Sequence, residues 1–308
     1  MRRIFVAATL VLLVTVPATA ESGVEKNVAY GMYSGLALLM DVHHPEQPNG
    51  YGLVLIPGSG WHTSQAYDAS PIKDGGSSMF VSVPPLLNAG YTLFVINHRS
   101  APRFRYPAAV EDAQRAVRFV RFHAKEYGIN AERVGAVGYS SGAHLAALLG
   151  VLDGAGTPAD PDPVNRVSAR VQSVVASATP TDLTRFDTGS GVANVVSFMG
   201  QLRPAGGTQL QESVEVKAYR AASPIAYVSR GSAPLLLMHG DADETVPFRQ
   251  AELMVDAAQR AGAEVKLIRL PGGGHGFARD LAKHPDWPDV LGETVRWLDQ
   301  FLKGTASR

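Results

Sequence analysis

Arg133-Val134-Gly135-Ala136-Val137-Gly138-Tyr139-Ser140-Ser141-Gly142-Ala143-His144-Leu145-Ala146 reads as a buried strand, a tight turn and a helix rich in Ala and Leu. Gly138, Ser140 and Gly142 fit the pattern G-x-S-x-G. A small residue two before and two after the serine is needed where strand and helix backbones nearly touch. The serine then sits on the sharp turn with its hydroxyl exposed, and the helix N-terminus behind it favours developing negative charge. A glycine-flanked turn carrying a solvated serine would leave the same five-residue trace. The strand before it and the helix after it supply the context that a nucleophile elbow requires.

Outward from that stretch, apolar runs alternate with amphipathic ones. Val24 to Tyr30 and Leu36 to His43 read as two strands joined by a turn at Gly31-Met32-Tyr33-Ser34-Gly35, a hairpin at a sheet edge. Leu53 to Ile56 and Tyr91 to Asn97 are apolar runs of the kind found in strands covered on both faces. Pro107 to about Tyr127 reads as a helix: Val110, Ala113, Val117 and Val120 recur at helical spacing, with Arg115, Arg118 and Arg121 on another stripe. Pro107 at its start and Gly128 past its end are the expected punctuation. Val171 to Ala176, Leu235 to His239 and Val265 to Leu270 are further strands, and Phe248 to Ala261 is a helix. Leu291 to Leu302 closes the chain as a helix with Leu291, Val295, Leu298 and Leu302 as its buried stripe. The alternation predicts one α/β domain over residues 21–308, with a mostly parallel central sheet and helices on both faces. In such sheets the reacting groups gather outside the carboxyl ends of the strands. Trp61 to Pro85 and Leu183 to Ala222 are too long for simple connections. The second carries Phe186, Val195, Val196, Phe198 and Met199, so residues 183–222 are expected to form a small lid.

The first twenty residues read as a leader. Arg2 and Arg3 form a positive start, Ile4 to Val16 an apolar run too short for a membrane span, and Ala18-Thr19-Ala20 a cleavage site. Cleavage after Ala20 implies a secreted or periplasmic protein with no stable membrane insertion. It removes two of 28 Lys+Arg and none of 28 Asp+Glu, leaving a balance of −2. No basic run or cluster points to nucleic acid. There are no cysteines, which excludes disulfides, thiolate metal sites and a cysteine nucleophile. His43-His44 beside Pro45 has no carboxylate or thiol neighbour in the sequence, so no metal or other cofactor is expected.

A serine hydroxyl needs a base to take its proton and a carboxylate to orient that base. Two loops after predicted strands offer them: His239-Gly240-Asp241-Ala242-Asp243-Glu244-Thr245-Val246-Pro247 and Pro271-Gly272-Gly273-Gly274-His275-Gly276-Phe277. His275, between glycines in a loop, has no packing reason to be there, unlike His239 at a strand end, which reads as structural. Asp243 is the candidate acid, with Asp241 and Glu244 competing. An oxyanion hole needs N–H donors. The residue after the nucleophile, Ser141, supplies one, and the loop Pro57-Gly58-Ser59-Gly60-Trp61 supplies the other at Ser59 or Gly60, since Pro57 has no N–H. Trp61, Tyr139 and Phe198 are candidate substrate-pocket residues.

These pieces resemble the esterase branch of the α/β-hydrolase superfamily that includes hormone-sensitive-lipase-like and feruloyl or acetylxylan esterase-like enzymes. The resemblance runs from about Leu36 to Leu302. It is carried by the elbow with Ala143-His144-Leu145-Ala146, Pro57 to Trp61, Ile96-Asn97-His98-Arg99-Ser100-Ala101-Pro102, Tyr106-Pro107-Ala108-Ala109-Val110-Glu111-Asp112, His239-Gly240 with Asp243 to Pro247, and His275-Gly276-Phe277. It implies Ser140 as nucleophile, Asp243 as orienter, His275 as base and structural roles for Arg99, Asp112 and His144. The chain departs from the family where Pro57 and Ser59 replace members of the usual His-Gly-Gly-Gly and where His98 stands in place of a Tyr. The expected function is a serine esterase acting on short-chain or carbohydrate-linked acyl esters. A prolyl-oligopeptidase-type peptidase would share the elbow and residue order but brings a large propeller absent here. A non-catalytic binding protein would not need the complete triad, and a lipid-surface lipase would need an amphipathic basic stretch.

Overall fold

The computed structural model describes residues 23–63, 72–73, 82–201 and 213–304. The leader and its cleavage site lie outside these, as do most of the segment from Trp61 to Pro85 and the middle of residues 183–222.

Eight strands form one sheet in the order β1-β2-β4-β3-β5-β6-β7-β8. They are β1 (Val24–Tyr33), β2 (Leu36–His43), β3 (Gly52–Ile56), β4 (Thr92–Ile96), β5 (Val134–Tyr139), β6 (Ser173–Ser177), β7 (Leu235–Gly240) and β8 (Val265–Leu270). β1 and β2 pair antiparallel, β2 joins β4 antiparallel, and β4, β3, β5, β6, β7 and β8 pair with one another in parallel. The helices are α1 (Val83–Asn88), α2 (Ala108–Phe122), α3 (Ser141–Val151), α4 (Val192–Met199), α5 (Val214–Ala221), α6 (Arg249–Ala261) and α7 (Val290–Leu298).

The fully apolar strands are explained by two cores, one on each face. Alternate side chains point to opposite faces. Val54 and Ile56 of β3 and Phe94 and Ile96 of β4 join the core under α2 and α3. Leu53, Leu55, Leu93 and Val95 join the core that holds Leu86 of α1 and Trp297 and Leu298 of α7. The elbow helix is buried from Ser141 to Leu149, which is why it is apolar all round rather than striped.

Three boundaries differ from expectation. The hairpin turns at Ser34-Gly35 alone, with Tyr33 opposite Leu36, because Ser34 (φ +45°) and Gly35 (φ +83°) both adopt the left-handed backbone of a tight two-residue turn. α2 stops at Phe122 with its cap at His123, and the turns that follow it are closed at Gly128 (φ +62°), the Ile129 N–H bonding the Ala124 carbonyl at 2.9 Å. α7 ends at Leu298 and runs on as a π-helical turn, Asp299–Lys303. Its register buries Val290, Thr294, Trp297, Leu298 and Leu302, leaving Leu291 and Val295 half-buried.

The arginine stripe of α2 is structural. Arg115, Arg118 and Arg121 donate to carbonyls of Tyr30, Val167 and Ala131, at 2.9, 3.1 and 2.8 Å, tying β1 and two neighbouring loops to the helix. At the outer edge, β1 shifts register between Glu25 and Val28 and again between Ala29 and Gly31. At the first shift Asn27 (φ +60°) turns its N–H onto Asp41 Oδ1 at 2.8 Å. The same carboxylate receives the buried Lys73 ammonium at 2.7 Å.

A Cβ added at Gly142 would fall inside the carbonyl oxygen of Ile56, and one at Gly138 inside that of Gly142. Gly142→Ala is therefore expected to lower unfolding stability by about 4 kcal/mol or more, or to prevent folding, as measured by urea denaturation against the parent chain.

Candidate active site

Ser140 occupies the junction of β5 and α3 at φ +54°, a left-handed conformation costly for a residue with a Cβ. His275 lies in the loop after β8 and Asp243 in the loop after β7. All three loops leave the carboxyl edge of the parallel strands, which brings residues far apart in sequence together. His275 Nε2 stands 3.0 Å from Ser140 Oγ, and its Nδ1 stands 2.8 Å from Asp243 Oδ2. The Asp243 side chain is wholly buried, whereas that of His275 is about a quarter exposed, at 27%. Asp243 Oδ1 accepts the N–H groups of Thr245 and Val246 at 2.8 Å each. Burial alone would raise the Asp243 carboxyl, but hydrogen bonds from His239 and His275 and from the Val246 N–H hold it well below the usual carboxylate range. It is thus an anion set to orient and stabilise an imidazolium. Tyr139, half of the turn itself, donates its hydroxyl to the His275 carbonyl and is 5% exposed.

The competing acid Asp241 points elsewhere. It pairs with Arg269 of β8 at 2.8 Å and accepts the Gly272 N–H at 2.6 Å, bracing the loop that carries His275.

The loop after β3 reaches Ser140 from the other side. Gly58 packs where a Cβ would stand 2.7 Å from the Tyr139 carbonyl oxygen and 3.0 Å from Ser140 Cβ. The Ser59 N–H donates to Ser141 Oγ at 2.9 Å. Gly60 (φ +64°) lies under Asn194 of α4, whose amide nitrogen would be 2.6 Å from an added Cβ. His62 joins the same two elements, with Nδ1 2.5 Å from the Gly60 carbonyl and Nε2 2.7 Å from Ser197 Oγ of α4. Trp61 and Phe198, the two other expected pocket aromatics, stack on each other at 4.6 Å between ring centroids, with 2% and 1% exposure. Their rings fill the core between this loop, α3 and α4, so neither offers an open face to a ligand. Trp61 Nε1 also donates to His144 Nδ1 at 3.3 Å, and His144 Nε2 donates to the Ala222 carbonyl at 2.7 Å. Segment 183–222 is thereby attached to the elbow helix and to the loop after β3.

The residues that sequence reading did not single out are His62, Asn194 and Ser197. Each is an isolated polar residue whose partner lies in another element, and only the glycine at position 60 hinted that something packs closely there. His239, read as structural, is buried but lies 3.3 Å from Asp243 Oδ2. His44 has a carboxylate neighbour after all, Glu25 at 2.5 Å. Among the described residues no group of three or more His, Cys, Asp or Glu forms a metal cluster, and no helix is long and apolar enough to cross a membrane.

A family model described as BD-FAE matches residues 40–257, well over half of the chain. The "Probable carboxylic ester hydrolase LipM" of Mycobacterium tuberculosis is 27% identical over 289 residues, which is 90% of this chain and 60% of LipM. The "Acetylxylan esterase" of Xylanibacter ruminicola is 27% identical over 155 residues, 49% of this chain and 28% of that protein. The chain therefore spans little more than half the length of the curated relatives it matches. Among solved structures, a "Truncated form of carbohydrate esterase from gut microbiota" superposes with a TM-score of 0.70 at 25% identity, covering 92% of this chain and 97% of that one. The sheet and its helices are those of the α/β-hydrolase fold.

His144 makes stability depend on pH. Burial lowers its pKa from 6.5 to about 4, against a weaker upward pull from the Ala222 carbonyl. The unfolded chain therefore takes up this proton first as the pH falls. The contribution is intact above about pH 6.5 and is lost progressively down to about pH 4, by about 3 kcal/mol in all. Urea denaturation at pH 7 and pH 4.5 is expected to show this loss, and His144→Gln to reduce it.

Proposed function

The chain belongs to the BD-FAE family, and from that premise we propose that it is an exported serine carboxylic-ester hydrolase that cleaves short-chain or carbohydrate-linked acyl esters. The observation that carries this reading is the contact chain from Ser140 Oγ through His275 to Asp243, at 3.0 and 2.8 Å. Ser140 Oγ attacks the ester carbonyl carbon while His275 Nε2 takes its proton, and Asp243 stabilises the imidazolium so formed. The negative oxygen of the tetrahedral intermediate is held by backbone N–H groups. Ser141 supplies one from the start of α3. Because the Ser59 N–H is already engaged by Ser141 Oγ, the loop after β3 contributes through Gly60. The imidazolium then protonates the departing alcohol, leaving an acyl group on Ser140. Water activated by His275 releases the acid.

Export rests on the leader read from residues 1–20, and the carbohydrate preference on the names of the relatives. The buried Trp61–Phe198 stack and the close seating of α4 on the loop after β3 favour a compact acyl pocket under segment 183–222, which serves as a small lid.

Purified protein freed of its leader is expected to hydrolyse p-nitrophenyl acetate and butyrate, and acetylated xylan, much faster than p-nitrophenyl decanoate. Preference for the long chain would sink the short-acyl reading, and silence across the series from a folded protein would sink the esterase reading. Ser140→Ala is expected to abolish turnover without changing the thermal midpoint by more than a few degrees. Asp243→Asn is expected to lower kcat by about a thousandfold or more, since a neutral partner no longer stabilises the imidazolium. Equal loss from Asp241→Asn would move the acid role.

A further inference from the structure

We infer that His239 is a positioning residue for the Asp243 carboxylate, giving the site a second histidine behind the first; this rests on the hydrolase reading above. His239 sits at the end of β7, four residues before Asp243, and is completely buried. Its Nε2 lies 2.9 Å from the Val246 carbonyl oxygen and 3.3 Å from Asp243 Oδ2. Its Nδ1 is buried with no hydrogen-bond partner. Both acceptors are on the Nε2 side, so Nε2 carries a proton that faces carbonyl and carboxylate together.

The carboxylate thereby has four donors. Thr245 and Val246 N–H groups fix Oδ1, and His275 and His239 converge on Oδ2. Two backbone donors on one oxygen leave the carboxylate free to pivot. A buried donor on the other oxygen, opposite His275, removes that freedom. It also draws charge away from Oδ2 and so tempers the pull of Asp243 on the His275 proton. The ring itself is held by the Val246 carbonyl and by Phe248, edge-on at 5.7 Å. The charged and titratable groups around it are Asp243, His275 beyond that carboxylate, and Arg269 of β8. Arg269 lies opposite in the sheet register, over the Phe248 ring, and is paired with Asp241.

Two variants separate positioning from packing. His239→Met removes the donor and keeps an apolar side chain of similar reach, whereas His239→Gln keeps an N–H at about the place of Nε2. His239→Met is expected to lower kcat on p-nitrophenyl acetate about ten- to a hundredfold with KM within about twofold. It should also move the acid limb of kcat/KM to higher pH, because a less-bonded carboxylate holds the His275 proton more tightly. His239→Gln is expected to recover most of the rate and to return the limb. Equal losses in both variants with an unmoved limb, or full activity in His239→Met, would overturn the inference. The downfield proton resonance of His275 Nδ1–H supplies a readout independent of turnover. It should shift in the Met variant and return towards the parent position in the Gln variant, and no shift would overturn the inference. A parent chain that hydrolyses no ester would defeat the functional reading, while the resonance still tests the hydrogen bond.

Discussion

The structure depends on one close backbone contact. The start of α3 passes so near the end of β3 that nothing larger than glycine fits at position 142, and the β5–α3 turn folds back so tightly that position 138 must also lack a side chain. That approach forces Ser140 into a left-handed conformation and lifts its hydroxyl above the sheet. It also lays the loop after β3 against Ser140, which is where the close seating of Gly58 and the Ser59–Ser141 contact arise. The strain at Ser140 is tolerated because α3 is buried along nearly its whole length and cannot relax outward.

The carboxyl edge of the sheet is built from loops that are fixed by their own hydrogen bonds. Asp243 is locked by backbone donors, the His275 loop by Asp241 and by the Tyr139 hydroxyl, and the loop after β3 by His62 and α4. Such preorganisation is what electrostatic stabilisation of a transition state demands, since donors that must move into place spend part of their interaction on moving. The aromatic pair Trp61–Phe198 and the His144 bridge tie α4 and Ala222 into this frame.

Much of this was legible in the sequence. Glycine spacing marked the elbow, and runs of apolar residues bounded by glycine marked the parallel strands. The order of serine, acid and histidine could be read because each follows a strand. What could not be read is what depends on contacts between distant elements. Asp241 and Asp243 differ by two positions in one loop, and only the register of β7 against β8 sends one to Arg269 and the other inward. Trp61 and Phe198 are the right residues for a pocket by type, yet their distance in sequence hid that they cover each other. His239 looked like a packed histidine and is one, but its Nε2 lies 3.3 Å from the Asp243 carboxylate. The end of α2 reads several residues late in the sequence because the turns between His123 and Gly128 continue past the last helical residue, Phe122.

The irregular outer strand bears on self-association. A chain with no net formal charge and a sequence pI near 7.1 has little electrostatic repulsion to keep copies apart at neutral pH. β1 is an edge strand, with Met32 and Tyr33 exposed near the hairpin tip, and a flat edge of that kind recruits other sheets. Its two register shifts interrupt the row of outward N–H and C=O groups, and Asp41 draws the Asn27 N–H inward. The buried Lys73–Asp41 pair braces the carboxylate that draws the Asn27 N–H inward, and the edge so interrupted offers no continuous ladder of the kind on which sheet-to-sheet aggregation grows.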